Sequence, residues 1–154
     1  MPQLPGTDIP GSFLRGQIVV IAVIKFPACK SENVMNPRIL VVDDEDILIR
    51  CYQRILENSG YQVDYVKSGA EALNRIADSK FDLIILDYLM PEMNGMAVLQ
   101  STRETQPDVK VIMVTGLDKF ETQMQARDLG VFDYLAKPFD PEDLRRAVER
   151  AVAH

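Results

Sequence analysis

Four consecutive aliphatic residues, Leu83 to Leu86, run straight into a carboxylate, Asp87, with Pro91 and Gly95 soon after. An unbroken aliphatic run of this kind reads as a strand covered on both faces, the condition of an interior strand in a parallel sheet. Pro91 and Gly95 then turn the chain into a loop ahead of a helix. In open α/β sheets, ligands gather beyond the carboxyl ends of the strands. A charge there is costly to hold beside a core, so Asp87 needs a partner, a metal or a reaction.

The same alternation of strand and helix runs from residue 38 onward. The pattern predicts strands over 38–43, 62–66, 83–86, 109–114 and 132–136. A helix over 46–58 carries Leu48, Cys51, Tyr52 and Ile55 on one stripe and stops at Gly60. Ser68 caps a second over 70–78, where Glu71 completes a capping-box pattern and Leu73, Ile76 and Ala77 face inward. A third, over 95–106, carries Met96, Val98 and Leu99 and ends at Pro107. A fourth, over 118–129, is capped by Asp118 and stopped by Gly130, with Phe120 and Met124 inward. The fifth opens with Asp140 as N-cap and Pro141 in first position, and its stripe is Leu144, Ala147, Val148 and Ala151. Five strands alternating with five helices imply an α/β fold, a doubly wound five-stranded parallel sheet covered on both faces.

Residues 1–36 do not follow this pattern and read as an N-terminal extension, with the domain proper over 37–154. The apolar stretch Ile18–Ile24 is far short of the roughly 20 residues of a membrane helix. Its β-branched residues could instead form a strand that pairs with a sheet edge or another subunit. The net charge of −6 argues against nonspecific binding to nucleic acid or to an anionic membrane. Cys29, Cys51 and the lone His154 have no metal-ligand spacing, which disfavours zinc or haem. The expectation is a reduced, acidic, cytoplasmic domain.

Chemistry gathers at the predicted strand ends. Strand one ends in Asp43-Asp44-Glu45 and strand three in Asp87; in a parallel sheet those ends can be neighbours. Acids so placed repel one another, and a cation relieves the repulsion. Magnesium suits them, being a hard ion satisfied by carboxylates, carbonyls and water and commonly bound beside phosphate. Strand four ends in Thr115-Gly116 and strand five in Lys137-Pro138, adding a hydroxyl and an ammonium at the same edge. A carboxylate nucleophile, a metal, a hydroxyl and a lysine form a consistent set for phosphoryl transfer. Each residue has a plainer reading: Asp43-Asp44 as acids at a helix start, Thr115 as a strand residue, Lys137 as a solvated charge. Four successive strand ends in register favour the functional reading.

Residues 38–152 resemble the receiver domain of two-component response regulators, with the flavodoxin-like fold of the chemotaxis regulator. The segments that carry the resemblance are Ile-Leu-Val-Val-Asp-Asp-Glu (39–45), Leu-Asp-Tyr-Leu-Met-Pro-Glu-Met-Asn-Gly (86–95), Val-Ile-Met-Val-Thr-Gly (111–116) and Tyr-Leu-Ala-Lys-Pro-Phe (134–139). The resemblance implies strand order 2-1-3-4-5 and a phosphoryl group accepted on Asp87 from a histidine kinase or histidine phosphotransfer protein. It implies magnesium held by Asp43, Asp44, Asp87 and the backbone carbonyl of Leu89, with Asp44 the more direct ligand and Asp43 acting largely through water. Lys137 would pair with Asp87 and then with the phosphoryl oxygens, and Thr115 would move to the phosphate. Tyr134 would turn inward as Thr115 moves, altering the surface of the fourth helix, fifth strand and fifth helix. Pro138 would follow a cis peptide. Leu89 and Leu117, each two residues past a site residue, would shield the acyl phosphate and slow its hydrolysis.

The function expected is therefore a phosphorylation-controlled switch that acts on a downstream effector protein or output domain. It catalyses only its own phosphorylation and dephosphorylation. A receiver-like module that binds without phosphorylation is the alternative, disfavoured by the complete acid set. A haloacid-dehalogenase-type phosphatase would carry a second acid two residues past its nucleophile, where this chain has Leu89. Homodimerisation through the fourth and fifth helices is a further possibility, with Asp143, Arg145 and Arg146 as suitable charges.

Overall fold

A computed structural model describes residues 36–116 and 120–153. The expectations placed on residues 1–35, Leu117, Asp118 and the Phe120 side chain lie outside the described residues.

The strands are β1 (Arg38–Val42), β2 (Gln62–Val66), β3 (Leu83–Asp87), β4 (Lys110–Thr115) and β5 (Asp133–Ala136). The helices between and after them are α1 (Asp46–Asn58), α2 (Gly69–Asp78), α3 (Gly95–Thr105), α4 (Phe120–Asp128) and α5 (Pro141–Val152). All strand pairs are parallel, in the order β2-β1-β3-β4-β5. The flavodoxin-like, doubly wound arrangement expected from the sequence is the observed one. β3 is buried along its whole length, as its aliphatic run requires. It takes in Asp87, and β4 takes in Thr115, each one residue further than the sequence pattern suggests.

Side-chain alternation along the strands separates two cores. Leu40, Val42, Ile84, Leu86, Val111 and Met113 pack beneath α2, α3 and α4. Ile39, Val41, Leu83, Ile85, Ile112 and Val114 pack beneath α1 and α5, against Tyr52, Leu56, Leu144 and Val148.

Local signals work as their chemistry predicts in α2 and α3. Ser68 Oγ accepts from the Glu71 N–H, and the Glu71 carboxylate reaches back to the Lys67 N–H. Asn94, a cap the sequence pattern does not single out, accepts from the Ala97 N–H and starts α3. Asp140 does occupy the N-cap of α5, ahead of Pro141, but its side chain makes no capping bond among the described residues.

Two inward assignments need correction, and the α1 stripe stands. Ala77 is exposed, and Ala72 takes the buried place one turn before Ile76. Met124 is exposed, while Thr122 and Ala126 form the buried side of α4. On α1 the fully buried residues are Tyr52 and Leu56, with Leu48, Cys51 and Ile55 half-buried beside them. Among the described residues no helix is long and apolar enough to cross a membrane.

Candidate functional site

Register brings the strand ends together. Val42 pairs with Leu86, so Asp43 and Asp87 leave neighbouring strands at the same level. Asp87 pairs with Val114 and Thr115 with Ala136, which sets Thr115 and then Lys137 one step further across the same edge. Asp43, Asp87 and Thr115 each follow a buried run that fixes their height, and Lys137 follows the partly buried β5. Carboxylates of Asp43, Asp44 and Asp87 and the Lys137 ammonium gather at this edge.

Asp43 is fully buried and Asp87 is 2% exposed, whereas Asp44 stands in solvent at the rim. One carboxylate oxygen from each of the three acids lies within 4.8 Å of the other two. Asp43 Oδ1 accepts the Glu45 N–H at 2.9 Å. Asp43 Oδ2 is buried and accepts no hydrogen bond from the described residues. An anionic oxygen left so in a low-dielectric site is costly unless a cation serves it. Lys137 serves it only in part, at 3.5 Å. The donor set of three carboxylates is that of a hard divalent ion, so the residues fit a magnesium site.

Lys137 Nζ lies 3.2 Å from Asp87, 3.3 Å from Glu45 and 3.5 Å from Asp43. Its backbone N–H is held by the Thr115 carbonyl at 2.9 Å, and the Lys137–Pro138 peptide is cis, as expected. Burial pulls the ammonium's pKa down, but Asp43 and Asp87 outweigh it and raise it above the ordinary value. Burial, and then the charge of Asp43, push Asp87 up to about 6 against the pull of Lys137 and the Leu89 N–H. Asp43 is raised as well, by burial first, with the Glu45 N–H and Lys137 opposing. These two carboxylates are held where their charge is unwelcome until a cation or a reaction arrives.

Of the other expected residues, Thr115 and Leu89 are at this edge, while Tyr134 lies further down β5, paired with Met113. Thr115 is buried at the end of β4. Tyr134 is half-buried on β5, its hydroxyl donating to the Thr122 carbonyl of α4 at 3.0 Å. That bond ties β5 to the first turn of α4. Leu89 is 53% exposed, with its backbone N–H directed at the Asp87 carboxylate.

Two further residues belong to the site without being singled out by the sequence pattern. Glu45 contacts Lys137, although the sequence marks it only as one of a run of acids. Tyr52 falls on an apolar stripe; it is 1% exposed and stacks on Phe139 with ring centroids 5.8 Å apart. Its hydroxyl lies against the Asp43 carboxylate, and burial together with Asp43 and Asp87 keeps the phenol protonated. The available signal is a hydroxyl on an otherwise aliphatic stripe, since a buried tyrosine usually finds a polar partner.

A doubly wound sheet whose central strand ends in a buried carboxylate, flanked by two acids, a threonine and a lysine, defines the receiver class of signalling domain. The family profile of the response regulator receiver domain matches residues 39–149. The chain is 37% identical over 119 residues to the transcriptional regulatory protein ZraR of Escherichia coli, covering 77% of this chain and 27% of that protein. It is 36% identical over 115 residues to the alkaline phosphatase synthesis transcriptional regulatory protein PhoP of Bacillus subtilis, covering 75% and 48%. A solved CheY-like receiver domain protein from Methanospirillum hungatei superimposes with a TM-score of 0.75 at 31% identity, covering 77% of this chain and 95% of that one. This chain belongs to the response regulator receiver domain family of two-component systems. It spans about a quarter of the length of ZraR and about half that of PhoP.

Proposed function

We propose that the domain is a magnesium-dependent phosphorylation switch whose acceptor is Asp87. The observation that supports this most is the pairing of Asp87 with Lys137 beside the buried Asp43 oxygen that Lys137 reaches only at 3.5 Å. A carboxylate oxygen of Asp87 attacks the phosphorus of a phosphohistidine on a kinase or phosphotransfer protein. The P–O bond forms as the P–N bond breaks, and the imidazole nitrogen keeps the electron pair and takes up a proton. Asp43, Asp44, Asp87 and the Leu89 carbonyl would hold the magnesium ion, which supplies charge neutralisation at the phosphoryl oxygens. Lys137 stabilises charge on the same oxygens, and Thr115 donates to them once they are in place.

Phosphorylation adds about −1.5 to −2 charge and new acceptor oxygens, enough to draw Thr115 and Lys137 to new positions. Tyr134 would follow Thr115 and exchange its bond to Thr122 for an inward position, changing the face built by α4, β5 and α5. Downstream effectors read that face by protein contact. The domain turns over no external substrate and acts in the cytoplasm. The kinase approaches along a groove of about 770 Å³ bordered by Glu45, Ile47, Cys51, Lys137 and Phe139, of which Lys137 contacts the acceptor. Homodimerisation through α4 and α5 forms no part of the proposal.

The test is transfer of labelled phosphoryl from a small acyl phosphate donor in magnesium buffer. The label should be released by hydroxylamine, as an acyl phosphate is, and a stable label would contradict the assignment. The lifetime carries a second expectation. Leu89 and Leu117, each two residues past Asp87 and Thr115 in the sequence, carry no polar group to position water, so loss of the label is slow, and Leu89→Asn or Leu117→Glu should speed it severalfold. A half-life of seconds, unchanged in both variants, would remove the shielding role.

A further inference from the structure

Lys137 presents one ammonium to three carboxylates, and they differ in freedom. Asp43 and Asp87 are almost wholly buried at the ends of β1 and β3, fixed by the sheet. The Glu45 side chain is 59% exposed and stands on the rim. Glu45 occupies the N-cap of α1, where a short polar side chain would accept from the first turn, yet it makes no capping bond among the described residues. Asp140 at the start of α5 makes none either, so a missing cap decides little by itself. The direction of the side chain decides more. Glu45 Oε1 accepts from Lys137 Nζ at 3.3 Å, 92 residues away in sequence.

We propose that Glu45 is a positioning residue for Lys137: it holds the ammonium at the pocket mouth and hands it to the phosphoryl group when one forms on Asp87. This rests on Asp87 being the acceptor. A divalent ion on Asp43 and Asp87 would weaken the pull of both buried acids on Lys137. Glu45, outside the group of three acids that could hold the ion, then becomes the main anchor of the ammonium. A phosphoryl group brings roughly −1.5 to −2 charge and three acceptor oxygens to the same place, against the single solvated charge of Glu45. Lys137 therefore moves inward, and Glu45 is released toward the groove it borders with Ile47, Leu48 and Arg54. Glu45 thus sets how much of the phosphoryl group's attraction is needed to recruit Lys137. It also makes the charge at the rim of the groove depend on phosphorylation.

The test uses the full chain with magnesium and beryllofluoride, a mimic of the phosphoryl group, measured by calorimetry. Glu45→Gln keeps the size of the side chain and removes its charge. Asp46→Asn removes a charge one residue further on, where the carboxylate pairs with Lys67 and not Lys137. An exposed competing pair of this kind predicts beryllofluoride binding about threefold tighter in Glu45→Gln, with little change in Asp46→Asn. The side-chain ¹⁵N resonance of Lys137, read without beryllofluoride, should shift in Glu45→Gln and stay in place in Asp46→Asn. Equal affinities in the two variants with an unmoved Lys137 signal would overturn the proposal and leave Glu45 as a rim charge only. Unchanged beryllofluoride affinity in Glu45→Gln with a shifted Lys137 signal would overturn the hand-over alone. A wild-type chain that takes up no beryllofluoride would overturn the hand-over together with the acceptor assignment.

Discussion

Asp87→Asn stabilises the metal-free protein at neutral pH by up to about 3 kcal/mol, the equivalent of raising one carboxylate from its ordinary value to about 6. The cause is burial first and the neighbouring Asp43 charge second; Lys137 and the Leu89 N–H offset them only in part. The sign follows from linkage. A carboxyl group whose pKa is raised on folding contributes stability that is complete below its unfolded pKa of 3.8 and is lost as pH rises through about 6. Wild-type protein in chelator should therefore become more stable on acidification from pH 7 toward pH 4, and Asp87→Asn should flatten much of that slope. Asp43, raised in the same direction, accounts for what remains. Saturating magnesium reverses the preference by favouring the carboxylates, so the advantage of the variant shrinks as the ion is added. Denaturant unfolding across this pH range, with and without magnesium, measures all of these effects. A variant less stable than wild type in chelator at pH 7 would show that Lys137 outweighs burial.

Gly95→Ala acts on the same site through the backbone. A Cβ at residue 95 would stand 2.4 Å from the Asp87 carbonyl oxygen and 2.9 Å from Tyr88 Cα. Neither atom belongs to a flexible side chain, so relief requires moving the start of α3 or the chain leaving Asp87. The Gly95 N–H also donates to the Tyr88 carbonyl at 2.8 Å, which locks the two segments together. Overpacking against backbone predicts a loss on the order of 3 kcal/mol. It also predicts weaker magnesium binding, because the Leu89 carbonyl lies in the displaced loop. Gly60 is the matched control. Its φ is +88°, and a methyl group added there would meet nothing within 4 Å. Gly60→Ala therefore loses only the cost of a left-handed backbone, about 1 kcal/mol, and leaves magnesium binding intact. Equal losses in both variants, with unchanged magnesium affinity, would remove the backbone argument.

Much of the site is legible in the sequence because a parallel sheet aligns strand ends, so a polar residue closing each aliphatic run has to meet its neighbours. Asp43, Asp87 and Thr115 are of this kind, and Lys137 follows the short, partly buried β5. The helices are read through hydrophobic periodicity, and that reading fails where small or polar residues form the buried side. α4 carries Thr122 and Ala126 inward, neither strongly apolar, while Met124 draws attention and faces out. On α2, Ala72 and Ile76 share the inward line, and Ala77 falls beyond the half-buried Leu73 at its margin. Glu45 and Tyr52 escape for a different reason. A long side chain reaches an atom several ångströms from its own backbone, and neither strand register nor helical period specifies where it ends. Their contacts with Lys137 and Asp43 come from tertiary packing.

The acceptor assignment is tested most directly by the intact mass of the full chain after incubation with magnesium and a small acyl phosphate donor, beside Asp87→Asn. The account predicts a gain of about 80 Da, one phosphoryl group, that disappears in the variant and in chelator. An undiminished gain in Asp87→Asn, or no gain in wild-type protein shown to bind magnesium, would contradict it.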